Sequence, residues 1–340
     1  MAGRIAAFVR LSRPRFLVES QLTVTVGVGA AVSAGHGFAF GTWLLVQATV
    51  ALTHLMTHYC NEYFDLAADR AHTAPNRWTG GSQVLVSGAL RPEVSLSAAF
   101  VLLFVVLGLT VAMPTPAQRL IALAAIAVAW FYTAPPVKLN HRGLGEIATA
   151  ASLAVFCPVL TGVSLTGGVP ASLVAVAIPL MLVMTARMTV MNFCDRESDL
   201  VAGKRTLPNT LGARRAALLF AGLQAAAYTS VLVTTLVGVL PLAVGVGLLI
   251  TAPGGYVLAV RLRRDPPSPD APDRATATAH LATTHAAATG IVAVLGFVVA
   301  AAVEHGFTPS VWACVVLFAL YVVPASGVQV LDALRRRRSA

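Results

Sequence analysis

Residues 171–192 read ASLVAVAIPLMLVMTARMTVMN, and residues 193–199 continue FCDRESD. The first run carries one charge, Arg187, and is long enough to cross the core of a bilayer as an α-helix, which takes about 20 residues. The second begins where the apolar run stops, so the span delivers Asp195 and Asp199 to a membrane face. Four residues apart, these carboxylates share one side of a helix, one turn above the other. The same grammar, an apolar span ending in polar residues, recurs along the chain.

Apolar runs lie at roughly 16–34, 41–60, 93–113, 118–134, 147–166, 171–192, 215–237, 241–260, 279–303 and 309–331. Of 340 residues, 57% are hydrophobic and 11% charged, against about a quarter charged in a soluble domain. The composition predicts an all-α, polytopic transmembrane helical bundle forming a single domain over 1–340. A transmembrane barrel would need short segments of alternating polarity, and none occur.

The net charge of +10 points to nucleic acid only until its distribution is read. With ten crossings, 22 of the 24 Lys and Arg residues fall on one side; Arg119 is alone on the other and Arg187 lies within a span. Basic loops stay cytoplasmic. Both termini and the segments 61–92, 193–214 and 261–278 are therefore expected in the cytoplasm, in a multi-pass protein of the cell (inner) membrane. The basic residues at span ends read as contacts to membrane lipids, with no nucleic-acid partner. Residues 1–15 are basic but run into a full span without a small-residue cleavage site, so no cleaved signal peptide is expected. Cys60, Cys157, Cys194 and Cys314 form no metal-type pair and predict no disulfide framework. The segment 261–278, rich in proline and charge, reads as a solvated linker.

The two longest cytoplasmic loops between spans begin with related text: Asn61-Glu62-Tyr63-Phe64-Asp65-Leu66-Ala67-Ala68-Asp69, and Asn192-Phe193-Cys194-Asp195-Arg196-Glu197-Ser198-Asp199. Each places an Asn and then two Asp, four apart, at the end of a span. The pattern is that of an internal duplication, with halves at 16–134 and 147–260 and further C-terminal helices at 279–331. Of 14 acidic residues, seven sit at three cytoplasmic helix ends: Glu62, Asp65, Asp69, Glu146, Asp195, Glu197 and Asp199. Gathering four aspartates costs several kcal/mol in repulsion unless cations neutralise them. Mg2+ suits the task, because it takes one or two carboxylates and completes its shell with water and substrate phosphates. A bound diphosphate also needs direct cations, and Lys138, Arg142, Lys204 and Arg205 adjoin the acidic ends, with Arg suited to two-pronged phosphate contact and Lys to a point charge.

These motifs carry a family resemblance. Asn61-x3-Asp65-x3-Asp69 with Asp195-x3-Asp199 resembles the two aspartate-rich motifs of UbiA-type intramembrane prenyltransferases. Tyr132-Thr133-Ala134-Pro135-Pro136-Val137-Lys138 with Arg142-Gly143-Leu144-Gly145-Glu146 is similar to the family's loop after its fourth helix. Gly203-Lys204-Arg205-Thr206-Leu207 and Leu11-Ser12-Arg13-Pro14 resemble family text as well, in the right order over residues 10–260. The resemblance implies a bundle of nine helices around a central cavity, where the charge rule gives ten, with the acidic motifs at a cytoplasmic mouth. Glu62 departs from the pattern, standing where an Asp often follows the Asn.

The implied chemistry is Mg2+-dependent transfer of the prenyl group of an isoprenyl diphosphate to an aromatic, phenolic or quinone-precursor acceptor. Asp65, Asp69, Asp195 and Asp199 hold the metal, with Asn61 as a further ligand; Lys138 and Lys204 assist departure of the diphosphate. Asn61, Asn192, Tyr132, Arg142, Arg187, Arg205 and His58 bind substrate. An apolar cavity keeps water from the allylic cation. A terpene cyclase on the same scaffold needs the same motifs. A secondary transporter of an anion is the reading from another class, but its polar site would sit near the bilayer midplane.

Three further features stand out. His54, His58 and Glu62 share a helix face, read as cavity lining or local pairing, since a histidine-rich metal centre needs more histidines than the eight present. Arg187, deep in a span, is functional by default: it holds an acidic group of the acceptor or pairs with a motif carboxylate. Glu19 and Gln21 are expected to face the cavity, and Gly80-Gly81-Ser82 either offers backbone N–H groups to phosphate or makes a flexible turn.

Overall fold

The structure is a computed structural model that describes residues 2–268 and 270–323. The regular structure among them is helical throughout. In chain order the helices are α1 (Ala2–Leu11), α2 (Pro14–Ser33), α3 (Phe40–Phe64), α4 (Leu66–Ala71), α5 (Pro92–Val111), α6 (Pro116–Phe131) and α7 (Gly145–Thr166). There follow α8 (Ala171–Cys194), α9 (Arg196–Val201), α10 (Leu207–Leu211), α11 (Ala213–Leu236), α12 (Leu242–Arg264), α13 (Pro272–His305) and α14 (Pro309–Val323). The expected all-α bundle is what forms.

Proline and glycine punctuate it. Pro14, Pro92, Pro116 and Pro272 open their helices, where a missing N–H costs nothing. Gly167 and Gly306, at φ 77° and 73°, close α7 and α13. Inside α7, Pro158 cannot donate to the turn before it, and the helix widens into a π segment at Ser152–Phe156.

Seven helices among the described residues are long and apolar enough to cross a membrane: α2, α5, α7, α8, α11, α12 and α13. α6 and α14 are apolar but shorter. α3 has the length but carries Thr49, Thr53, His54, Thr57, His58 and Asn61, which line a cavity instead of facing lipid. α2, α3, α6, α7 and α8 wall that cavity. α5 lies outside them against α3 and exposes Phe100, Val101 and Phe104, as a lipid-facing helix does. Lipid is as apolar as leucine, so close packing replaces hydrophobic burial between such helices. A Cβ on Gly296 of α13 would lie 2.5 Å from Val244 Cα of α12, so the two backbones touch only because that residue is glycine.

The spans run further than their hydropathy: α3 extends to Phe64 and α8 to Cys194, each stopping at the first Asp of its motif. Hydrogen bonds inside the bundle satisfy Asn61, Glu62 and Asn192, the polar residues of these last turns. The loops expected at 61–92 and 193–214 accordingly contain α4, α9 and α10. Cys60, Cys157, Cys194 and Cys314 are unpaired and buried. The basic run Arg335–Arg338 and the end of the 309–331 span lie outside the described residues.

Candidate active site

Asp65 and Asp195 occupy the same backbone state. Asp65 ends α3 at φ −92°, ψ 3°, and Asp195 ends α8 at φ −92°, ψ 4°. After each break a six-residue helix begins, α4 or α9, with the second aspartate, Asp69 or Asp199, in its first turn. The break turns the second carboxylate over the cavity, and α4 packs against α9, so the two acidic ends face each other. Asp65, Asp69, Asp195 and Asp199 all line one cavity of about 250 Å³.

Lys204 joins the two motifs. Its Nζ lies 3.2 Å from Asp65 Oδ2 and 3.2 Å from Asp199 Oδ1. The turn at Gly203, φ 72°, aims it there, and its backbone N–H donates to the Asp199 carbonyl at 2.8 Å. Burial opposes the ammonium charge, but Asp65 and Asp199 outweigh it and hold Lys204 above its ordinary range. Asn140 Nδ2 donates to Asp65 Oδ1 at 3.1 Å, and His72 Nε2 meets Asp195 Oδ1 at 2.9 Å. Burial pushes the His72 imidazole down, yet Asp195 brings it above the usual value. Burial pushes Asp69 up to about 7, with the Arg13 charge only partly offsetting it. Asp199 is likewise pushed up to about 7 by burial, against the pull of Lys204.

Other polar residues are already matched. Arg13 pairs with Glu62, whose oxygens also accept from Ser82 N at 2.8 Å and Ser82 Oγ at 2.6 Å. That network ties the Gly80-Gly81-Ser82 turn to α3 and gives Glu62 a structural partner set. Asn61 Oδ1 accepts from Thr133 Oγ1 at 2.9 Å. Asn192 Nδ2 donates to Glu146 Oε1 at 2.7 Å, which leaves the Asn192 oxygen open. Tyr132, His54 and His58 line the cavity wall. His54 meets Ser20 Oγ at 2.7 Å, and His58 Nδ1 donates to the Ser12 carbonyl at 2.6 Å.

Three expectations are redrawn. The carboxylate that pairs with Arg187 is Glu19 of α2, at 2.8 Å, and not a motif aspartate, because the motif acids sit more than two turns further along α8. Glu19 lines the cavity as expected, whereas Gln21 points away and donates to the Leu317 carbonyl at 3.3 Å. Lys138, Arg142 and Arg205 do not line the cavity. Lys138 adopts φ 48° at the start of a short turn, Arg142 donates to the Pro136 carbonyl at 3.2 Å on the surface, and Arg205 is exposed. His72 and Asn140 escaped the sequence reading. His72 follows Asp69 by three residues, a helical spacing that marks it; Asn140 lies inside the Lys138–Arg142 segment with no signal of its own.

Among the described residues no three acidic, imidazole or thiol groups converge as a ready-made metal site. The donor set still fits Mg2+, which takes few carboxylates and fills its shell with water and phosphate oxygens. Asp69, half-buried, and Asp199, buried, are both pushed toward protonation, which the positive charge of such an ion would reverse.

The sequence profile of the UbiA prenyltransferase family matches residues 22–275. The chain belongs to the UbiA prenyltransferase family. It is 31% identical over 238 residues to the digeranylgeranylglyceryl phosphate synthase of Halobacterium salinarum, covering 68% of this chain and 78% of that protein. It is 31% identical over 229 residues to the 1,4-dihydroxy-2-naphthoate octaprenyltransferase of Mycobacterium tuberculosis, covering 65% and 75%. The structure of a UbiA homolog from Archaeoglobus fulgidus bound to DMAPP and Mg2+ superposes with a TM-score of 0.63 at 19% identity, over 84% of this chain and 98% of that one. This UbiA-family chain is thus a multi-pass membrane prenyltransferase.

Proposed function

We propose that this UbiA-family enzyme uses Mg2+ to transfer the prenyl group of an isoprenyl diphosphate to an aromatic, phenolic or quinone-precursor acceptor within the membrane. The observation that carries the reading is the pair of aspartate ends, held face to face by Lys204 at the mouth of an apolar cavity. Asp65, Asp69, Asp195 and Asp199 would hold the metal, with Asn61 and the open oxygen of Asn192 beside them. When bound, Mg2+ neutralises the diphosphate and stabilises it as a leaving group. Lys204 stays at the junction and adds a fixed positive charge where the departing oxygen gains negative charge. Tyr132 and the apolar wall from α6 and α7 exclude water from the reacting carbon. Lys138, Arg142 and Arg205, outside the cavity lining, would guide diphosphate toward the mouth.

The excess of cations on one side supports an orientation with this mouth at the cytoplasmic face of the cell membrane. The matched breaks at Asp65 and Asp195 support the reading of 16–134 and 147–260 as duplicated halves. Mass spectrometry after incubation with Mg2+, several prenyl diphosphates and a panel of phenols tests the function. Prenylated phenol is expected; hydrocarbon or alcohol formed equally with and without acceptor would instead make the protein a cyclase.

A further inference from the structure

Below the acidic mouth, the cavity wall carries a second polar site. At about 1.5 Å per residue, Glu19 lies about 9 Å along α2 from Arg13, and Arg187 about 12 Å along α8 from Asp195. Both line the same cavity as the aspartates. They meet as a two-pronged pair, Nη1 to Oε2 at 2.8 Å and Nη2 to Oε1 at 2.8 Å. Both terminal nitrogens of Arg187 are therefore committed to one carboxylate. The side chain is 6% exposed; each terminal nitrogen keeps a second N–H, that of Nη1 toward Met184 Sδ at 3.5 Å, while Nε is closed off from the cavity space and has no hydrogen-bond partner among the described residues. An N–H of Nη2 left open in so buried a wall is costly unless a ligand atom meets it. His54 and His58 approach from α3, their rings 4.6 Å apart. The Ser12 carbonyl only accepts, so His58 Nδ1 carries the hydrogen and Nε2 remains as the ring's free polar atom.

Charge is sorted between the two levels. The mouth gathers Lys204 and four aspartates, a site for cation and diphosphate. The inner level has one guanidinium already matched by one carboxylate. An acceptor carboxylate or phosphate brought there would meet a filled fork and lie beside Glu19. A hydroxyl meets neither obstacle: it accepts from the second N–H of Arg187 Nη2 and donates to Glu19 or an imidazole. The reacting prenyl carbon hangs from the diphosphate at the mouth, so a ring anchored below by its hydroxyl stands between the two levels.

We infer that the Glu19–Arg187 pair binds the hydroxyl end of an uncharged phenol or hydroquinone and selects against acceptors that bear a carboxylate or phosphate. This rests on the reading of the site as transferring a prenyl group to an aromatic acceptor, and it names the class of acceptor.

Binding, read without turnover, tests it. Full-length protein in lipid nanodiscs is titrated with 1,4-dihydroxynaphthalene against 1,4-dihydroxy-2-naphthoate, and with 4-hydroxybenzyl alcohol against 4-hydroxybenzoate, empty nanodiscs correcting for partition. The uncharged member of each pair should bind about tenfold tighter or better. Glu19→Gln frees the arginine fork and should move the ratio at least about tenfold toward the carboxylate, the worth of a charge-assisted hydrogen bond. Glu19→Gln combined with Arg187→Gln removes both charges, and the ratio should narrow without inverting; this variant carries the test if the single one fails to fold. Equal or tighter carboxylate binding by the wild type overturns the inference, as does an unchanged ratio in whichever variant folds, or no binding of either member. If the uncharged members bind as stated while prenyl diphosphate yields only acceptor-free products, prenyl transfer fails and the acceptor site stands.

Discussion

At the residue scale, one lysine reconciles two acidic motifs. Lys204 touches Asp65 from the first and Asp199 from the second, so it occupies the charge centre that a metal and diphosphate would share. Lys204→Gln should lower kcat/KM for prenyl diphosphate about tenfold to a hundredfold, the worth of a charge-assisted hydrogen bond of roughly 1.5–3 kcal/mol. Lys138→Gln and Arg205→Gln should each cost less, because neither side chain lines the cavity; losses as large as that of Lys204→Gln would show that the mouth closes around them. Asp65→Ala and Asp199→Ala should nearly abolish turnover in protein that remains folded in detergent, since metal grip and leaving-group stabilisation go together. Retention of more than about a tenth of activity in both would remove these residues from the metal site. The half-buried Asp69 and the buried Asp199 also set a pH dependence. With carboxyls pushed up to about 7, protons compete with the metal below that value. Apparent Mg2+ affinity should therefore rise from about pH 6 to about pH 8 and then level off; a flat titration across that window would contradict the burial argument.

At the element scale, the breaks that end α3 and α8 matter more than the helices themselves. Continuing α-helix at Asp65 would carry Asp69 onward along the helix axis; the turn at φ −92° folds it back over the cavity instead. The turn after α4 then closes on the same carboxylate. Gly81 has φ +71°, and a Cβ there would overlap the Asp69 side chain. Gly81→Ala should weaken Mg2+ binding about tenfold, because both the strained backbone, about 1–3 kcal/mol, and the displaced carboxylate act against it. Measured by Mg2+ titration of activity, wild-type affinity in this variant would mean that the turn moves freely. In α7 the π segment at Ser152–Phe156 does for the wall what these breaks do for the mouth: Ser152, Leu153 and Phe156 all reach the cavity.

At the scale of the whole molecule, the bundle separates a lipid-facing shell from a largely apolar cavity whose polar residues gather at the acidic mouth and at the Glu19–Arg187 pair. α5 is the outer extreme, with only 22% of its most apolar stretch buried, while 61% of that of α8 is buried. If the 22 of 24 basic residues that the ten-span reading puts on one side are cytoplasmic, single cysteines placed in 61–92 and 193–214 of a cysteine-free background should resist an impermeant thiol reagent applied outside intact cells. Labelling of either segment from outside would invert the orientation and move the mouth to the other face. The same should hold for 335–340, which lies outside the described residues.

Hydropathy, charge asymmetry and the repeated Asn–Asp–Asp text were enough to determine an all-helical membrane chain with two acidic helix ends, because each is a local property: span length, loop charge, and spacing along one helix. The approximate span limits and the grouping of Asp65, Asp69, Asp195 and Asp199 were legible for that reason. Pairing across helices was not. That Arg187 answers to Glu19, that Lys204 and not Lys138 or Arg205 lines the cavity, and that His72 and Asn140 hold the aspartates all depend on which helix faces which. Residues 168 apart along the chain carry no spacing signal. In a low-dielectric interior a charge must find its partner at contact distance, and only the packed bundle decides which residue stands there.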